Sequence, residues 1–347
     1  MPSNKAAWLN EANTPLEVSE APMPTAGPHE LVIRNAAVAI NPLDCHMQDL
    51  GVFVQQWPAI FGCDVAGEVY EVGSEAQGRF KKGDRVIAHT VNLVSGRPQD
   101  GAFALYTVVP ADKAAILPGA ISFADGVVVP FAMEAAACTL LVNKPGVAMP
   151  GVPTPALGLP YPSLEPTAVN KTLIVYGGSS SAGSMTIQLA TAAGIKVIAI
   201  ASVRNFDMVK SCGAAEVFDY HEPGFVEQVI QAVTAAGQEF VGIFDAISSA
   251  ETYENDLSIL KKLGGGHLAC SHPPPDNVPE NVKAGMIFAV NDVATPVWRD
   301  YVTLALQQGK LKCLPPPRIV GKGLEQIQVA LKASKAGVSA TKLVVKL

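Results

Sequence analysis

Two rhythms of apolar and polar positions divide the chain. In the first third, short apolar runs rich in β-branched residues are broken by glycine, proline and charge. Residues 31–40, 65–73, 82–88 and 104–110 read as strands, the second partly alternating and closed by a glycine turn. Strands so closely spaced predict a compact β-barrel-like domain. Residues 123–142 are alanine-rich, and 134–141 contain no breaker, which predicts a helix. Seven prolines then fall between Pro145 and Pro166. That density forbids helix and central strand and predicts an extended surface connector. From Lys171 the pattern alternates. Strands at 173–176, 196–201, 216–219, 241–245 and 266–270 are separated by helical stretches at 185–190, 206–211, 225–235 and 253–263, the mark of a doubly wound parallel sheet. The tail, 341–347, is strand-like and is expected to return to the first domain.

Composition narrows the class. The 347 residues suffice for two domains with cores of their own. A net charge of −6, with no basic run, argues against a nucleic-acid surface. The stretch Met1-Pro2-Ser3-Asn4-Lys5 has no apolar signal core. The best apolar runs are interrupted by Pro130, Glu134 or glycine, so none is expected to span a bilayer. A cytosolic protein is expected. Cysteines at 45, 63, 138, 212, 270 and 313 form no Cys-x-x-Cys pair and read as reduced, mostly buried thiols.

The chemistry concentrates at the midpoint. Leu173-Ile174-Val175-Tyr176 runs into Gly177-Gly178-Ser179-Ser180-Ser181-Ala182-Gly183 before the helical stretch. A buried strand, a tight turn and a helix N-terminus form a pyrophosphate site, because free backbone N–H groups and the helix dipole face the anion. Gly177 and Gly178 permit the sharp turn, and Gly183 lets the helix pack closely on the sheet. Ser179, Ser180 and Ser181 replace the usual glycines and offer hydroxyls to phosphate. The plainer alternative is a capped strand–helix turn. The second strand ends in Ala201-Ser202-Val203-Arg204-Asn205, without the acid that holds the ribose hydroxyls of NAD. Ser202 and Arg204 suit an adenosine 2′-phosphate, which predicts NADPH over NADH. Cys45-His46 and Cys63-Asp64 bring together metal-ligand types. Their spacing matches neither a structural nor a catalytic zinc pattern, so no metal is expected.

Ile40-Asn41-Pro42-Leu43-Asp44, Gly62-Cys63-Asp64-Val65-Ala66-Gly67, Lys82-Gly83-Asp84-Arg85-Val86 and the central loop stand in the order found in the medium-chain dehydrogenase/reductase superfamily. The chain resembles that family over essentially its whole length. The resemblance implies a GroES-like catalytic domain (1–135 with 310–347) split around a Rossmann NADPH-binding domain (136–309, carrying the proline-rich stretch 145–166), with the active site between them. Asn41 stands at the first zinc-ligand position and Cys63 at the histidine-ligand position, and the cysteine-rich structural-zinc lobe is missing. These departures imply the zinc-independent branch.

Within that branch the chain resembles fungal trans-acting enoyl reductases of polyketide biosynthesis, of the lovastatin-pathway and toxin-cluster type. The matching stretches include Gly158-Leu159-Pro160-Tyr161-Pro162-Ser163, Asn205-Phe206-Asp207, Gly265-Gly266-His267 and Lys342-Leu343-Val344-Val345. The resemblance implies reduction of the α,β-double bond of a carrier-bound thioester by NADPH, in a monomer partnered by a polyketide synthase or its acyl carrier domain. Implied cofactor contacts are Leu43, Asp44, Cys45, His46, Ser179, Ser180, Ser181, Ala182, Ser202, Val203, Arg204, Asn205, Tyr220, Ser271, His272, Ser339 and Ala340. The acyl group is placed near Ala135 and near Ala284, Gly285, Met286, Ile287 and Phe288. His46 stands where the relative has a lysine and is one candidate proton donor, since an imidazole can exchange protons near neutrality; water is the other. Ala135 stands where the relative has a threonine facing the nicotinamide. The alternatives are an NADPH-dependent quinone or enone reductase and a non-catalytic NADPH-binding interaction protein.

Overall fold

Two sheets of opposite strand habit organise the chain, in a computed structural model that describes residues 3–347. Met1 and Pro2, the head of the stretch read for a signal core, lie outside the described residues.

The first unit comprises the residues up to Phe131 together with Trp298–Leu347. Its seven-stranded sheet runs Pro317–Lys322, Lys342–Lys346, Glu30–Ala39, Asp64–Val72, Arg85–His89 and Ala114–Ile116, and Tyr106–Pro110 pairs additionally with Glu30–Ala39. The tail does return here: Lys342–Lys346 lies antiparallel to Glu30–Ala39, with Val344 opposite Ala39. A bulge between Asn35 and Ala37 bends the long strand against Asp64–Val72. Gly67 sits opposite that bend, where a Cβ would fall 2.1 Å from the Arg34 carbonyl oxygen.

The second unit is Ala132–Val297. Six parallel strands are ordered Glu216–Phe218, Lys196–Ile200, Lys171–Tyr176, Glu239–Asp245, Gly266–Cys270, Val282–Met286. Strand order reverses between Lys171–Tyr176 and Glu239–Asp245, and a doubly wound sheet opens its ligand crevice at the carboxyl ends beside such a reversal. Ile174, Ile198, Ile243 and Leu268 of the strands pack with Val229, Val233, Ile259 and Leu260 of the covering helices, all nearly or fully buried. Trp298–Gly309 belongs to the first unit by its contacts and 132–135 to the second, unlike the boundaries expected from sequence.

The helix expected over 134–141 is present, while the expectations for membrane spans and for the proline-rich stretch are corrected. The alanine-rich stretch forms two helices, Phe123–Gly126 and Pro130–Leu141, the second opening on the proline because its missing N–H lies in the unpaired first turn. Against the expectation from its interruptions, Phe123–Leu141 is long and apolar enough to cross a membrane, with mean hydropathy 1.5; yet 83% of that window is buried inside the fold. The proline-rich stretch is no bare connector. It forms a short hairpin, Val147–Met149 with Val152–Pro153, beside the edge strand Val282–Met286. Leu159 is buried and donates its N–H to the Leu140 carbonyl at 2.8 Å. Prolines suit this duty: they cover a sheet edge without offering donors that extend the ladder.

Gly285 permits that cover, since a Cβ there would fall 2.6 Å from Pro155 N. Gly285→Val is expected to lift the proline segment off the sheet, at a cost of roughly 1–3 kcal/mol. Limited proteolysis should then cut within 145–166 faster than in the parent, and the thermal midpoint should fall.

Candidate functional site

In the second unit, the loop after Lys171–Tyr176 is shaped by its own small residues. Gly177 has φ 74°, and a Cβ there would meet Ile247 Cγ1 at 2.7 Å. Gly178, not Gly183, is the residue that lets the following helix approach the sheet: its Cβ would meet Ile187, Ala199 and Val209 at 3.1–3.3 Å. Gly183 lies instead over the loop backbone, with a Cβ position 2.3 Å from the Gly177 oxygen.

The three serines also divide their work, where the sequence suggested three equivalent phosphate donors. Ser180 caps the Ser181–Ala192 helix, its Oγ accepting the Gly183 N–H at 3.0 Å. Ser179 Oγ accepts from Asn205 Nδ2 at 3.1 Å, tying this loop to the next one. Ser181 Oγ is buried and has no hydrogen-bond partner. An orphan hydroxyl beside the unpaired N–H groups of a helix N-terminus fits a pyrophosphate. Ala182 follows it in the same turn, half-buried.

The 202–205 turn follows the adjacent strand, with Ser202 buried and Val203 and Arg204 exposed. One acid that the sequence pattern did not assign to the site stands here. Asp219, buried at the end of the neighbouring strand, accepts from Val203 N at 3.2 Å, His221 N at 3.0 Å and His221 Nδ1 at 2.7 Å. Those bonds, the His221 N–H first, hold its carboxyl below the usual range. Its oxygens are thus spent on the turn itself. Tyr220, 39% exposed, lies with its ring centroid 4.0 Å from that of His221. Ser271 N donates to Ser248 Oγ at 2.8 Å, and His272 is exposed. The fold therefore gathers Ser179–Ala182, 202–205, Tyr220, Ser271 and His272 at the carboxyl ends of the parallel strands. Ala135 has no exposed surface. Among the acyl candidates, Gly285 and Met286 are covered, whereas Ala284, Ile287 and Phe288 are half-buried.

In the first unit, the Pro42–Leu50 helix carries Leu43 half-buried and His46 exposed. The side chains of Asp44 and Cys45 point inward, which corrects their reading as ligand-facing groups. Asp44 is fully buried and its Oδ2 accepts the Asn41 N–H at 2.7 Å; Cys45 Sγ donates to the Leu331 carbonyl at 3.7 Å. Ser339 is exposed and Ala340 has φ 47°. Beneath the helix lies a buried ion cluster. Lys342 Nζ donates to Asn41 Oδ1 and lies 3.1 Å from Asp64 Oδ2. Asn41 Nδ2 donates to the same Asp64 oxygen at 2.8 Å, and Phe131 N donates to Asp64 Oδ1 at 2.6 Å. Burial, opposed by the Asn41 N–H, raises the Asp44 carboxyl to about 7. Burial also pushes the Cys63 thiol well up. His89, fully buried with neither ring nitrogen paired, stacks on Phe131 at 5.8 Å, and burial lowers it to about 3. None of the six cysteines is in a disulfide.

Residues 27–119 match the alcohol dehydrogenase GroES-like domain and 182–288 the zinc-binding dehydrogenase domain. A dehydrogenase of Emericella nidulans, orsE, is 68% identical, with 100% of each chain covered. The trans-enoyl reductase himH of Aspergillus japonicus is 36% identical, covering 99% of this chain and 97% of its own. An alcohol dehydrogenase superfamily protein from Novosphingobium aromaticivorans superposes with TM-score 0.77 at 23% identity over 99% of each chain. The zinc that the second domain description implies does not fit these residues. Asn41, Asp64 and Lys342 already satisfy one another, a buried ammonium standing among the would-be ligands, and among the described residues no three His, Cys, Asp or Glu are placed to hold a metal.

The two buried titratable groups predict opposite pH dependences. Asp44, raised from 3.8 to about 7, binds its proton more tightly when folded, so its stabilising share is complete below about 4 and lost as pH rises through 7. His89, lowered from 6.5 to about 3, contributes above 6.5 and loses its share as pH falls through 3. In denaturant titrations across this range, Asp44→Asn should remove the loss toward pH 7 and His89→Phe the loss toward pH 3, each by a few kcal/mol at the extremes. At pH 7, His89→Phe should cost less than about 1 kcal/mol, because no hydrogen bond is broken.

Proposed function

The chain belongs to the medium-chain dehydrogenase/reductase superfamily, and on that premise we propose that it is a zinc-independent, NADPH-dependent trans-acting enoyl reductase. Its substrate in this reading is an α,β-unsaturated polyketide thioester delivered on an acyl carrier domain. The observation that carries the reading is the Lys342–Asn41–Asp64 cluster. An alcohol needs a Lewis acid or base at its oxygen before hydride can move. A conjugated thioester contains its own electron sink, so this chain's chemistry needs orientation more than metal. The relative named a trans-enoyl reductase supports the same substrate class.

When bound, NADPH supplies the hydride that adds to the β-carbon. The residues of this chain bind, orient and protonate. Ser181 Oγ and the first N–H groups of the Ser181–Ala192 helix hold the pyrophosphate. Arg204 and Ser202, beside Tyr220, hold the 2′-phosphate, and Asp219 keeps that turn in place instead of gripping ribose hydroxyls. As electrons move onto the thioester oxygen, a backbone N–H or hydroxyl steadies the enolate. His46, exposed on the Pro42–Leu50 helix, returns a proton to the α-carbon.

Purified protein should oxidise NADPH with a crotonyl or longer enoyl thioester, and much less with a quinone. The reverse preference would make it a quinone reductase, and tight NADPH binding without turnover on either would make it a binding protein. Arg204→Ala should weaken NADPH roughly tenfold or more and leave NADH nearly unchanged, the loss of one charge-assisted contact. His46→Ala should lower kcat; a rise in NADPH KM with kcat intact would remove His46 as proton donor.

A further inference from the structure

The exit of the Glu239–Asp245 strand holds two carboxyls with no cation between them. Asp245 and Asp256 are both fully buried. Asp245 Oδ1 accepts the Ile247 N–H at 2.8 Å, and Oδ2 accepts the Thr252 hydroxyl at 2.5 Å. Asp256 lies one turn further along the Ala250–Lys262 helix. Neither of its oxygens meets a donor, and Thr252, four residues before it and so on the same face of the helix, is the residue bonded to Asp245, which turns the two carboxyls toward one another. Among the described residues, the ionisable groups acting on the pair are Tyr176 on one neighbouring strand, Cys270 on the other and, toward Asp245, Tyr253 on the helix; none of these carries positive charge. Two ionised carboxylates in such a place repel without compensation. One proton between them resolves the conflict, turning an orphan acceptor into a donor.

We propose that Asp256 keeps its proton in the folded protein, donates it to Asp245, and so acts as a positioning residue for the 246–249 turn against the phosphate loop. That turn touches the cofactor residues on both sides. Ile247 fills the space beside Gly177 where a Cβ would fall. Ser248, with φ 57°, donates from Oγ to the Asp245 carbonyl at 2.9 Å and accepts from Ser271 N at 2.8 Å. Ala246 N donates to the Tyr176 carbonyl at 3.1 Å. Burial and the Asp245 charge both push the Asp256 carboxyl well up. Ionisation on the alkaline side sets two charges face to face and loosens the turn. The consequence for cofactor rests on the reading of the Gly177 loop as its phosphate grip; the shared proton does not.

Two measurements test this. The infrared difference spectrum, parent minus Asp256→Asn, should contain at neutral pH the carbonyl stretch of one protonated carboxyl, with the Asp44 carboxyl common to both proteins cancelling. Steady-state kinetics with an enoyl thioester, and direct binding of NADPH and NADH, should be followed from neutral to alkaline pH. The parent should show NADPH KM rising on the alkaline side with kcat little changed. Asp256→Asn, which keeps a donor and cannot ionise, should stay level. Asp256→Leu should raise KM roughly three- to tenfold at every pH with kcat within about twofold. No protonated-carboxyl band in that difference spectrum, or the same alkaline rise in Asp256→Asn, would overturn the proposal. Absence of binding by both nucleotides would instead overturn the cofactor reading, while the infrared band still decides the shared proton.

Discussion

The first unit depends on one buried ion pair. Lys342 and Asp64 are 4% and 0% exposed, and an ion so placed must be paired and hydrogen-bonded or stay neutral. The pair enlists Asn41, which stands at the head of the Pro42–Leu50 helix, and the N–H of Phe131 at the start of the next long helix. One cluster therefore ties the last strand, the first long helix, a central strand and the Phe131 backbone of the first unit together. Removing either charge would strand the other in a dry interior, a penalty of about 3–5 kcal/mol. The same arrangement settles which face of the helix looks out: Asp44 and Cys45 are drawn inward, and Leu43 and His46 are left toward the surface.

The second unit repeats the theme with single carboxylates at strand ends. Asp219 and Asp245 each close a strand; Asp219 accepts backbone N–H groups of its turn, and Asp245 accepts the Ile247 N–H and the Thr252 hydroxyl. Such bonds freeze loop geometry before any ligand arrives, which is how a site becomes preorganised. Ser179 and Ser180 belong to the same internal economy, one bonded to Asn205 and the other capping the helix. What is left over is informative by contrast. Ser181 Oγ, the helix N-terminus and the exposed Arg204 are groups that the fold has not already used.

The proline-rich stretch shows the same separation of duties at the sheet edge. Its hairpin and the 154–155 backbone lie on the final parallel strand, over a glycine that leaves room for them. Ala284, Gly285 and Met286 stand on that strand and Ile287 and Phe288 directly after it; Gly285 and Met286 are buried, whereas Ala284, Ile287 and Phe288 retain exposure.

Local pattern alone determined a good deal. The parallel strands, the helices between them, the glycine–serine loop and the returning tail were legible, because each is written in short-range apolar periodicity and in residues with special backbone freedom. The motifs around Asn41, Cys63 and the central loop placed the chain in its family. What local pattern could not contain was partnership across long separations. Lys342 reads as the first residue of a strand, and only the sheet brings it to Asn41, 301 residues away in sequence. Asp219 reads as the end of a strand, and only the neighbouring strand shows it serving the 202–205 turn. Asp245 and Asp256 look like two ordinary acids until burial removes water from both. Charge and hydrogen-bond capacity are written in the sequence, but what satisfies them is decided by which groups the fold leaves in contact when solvent is gone.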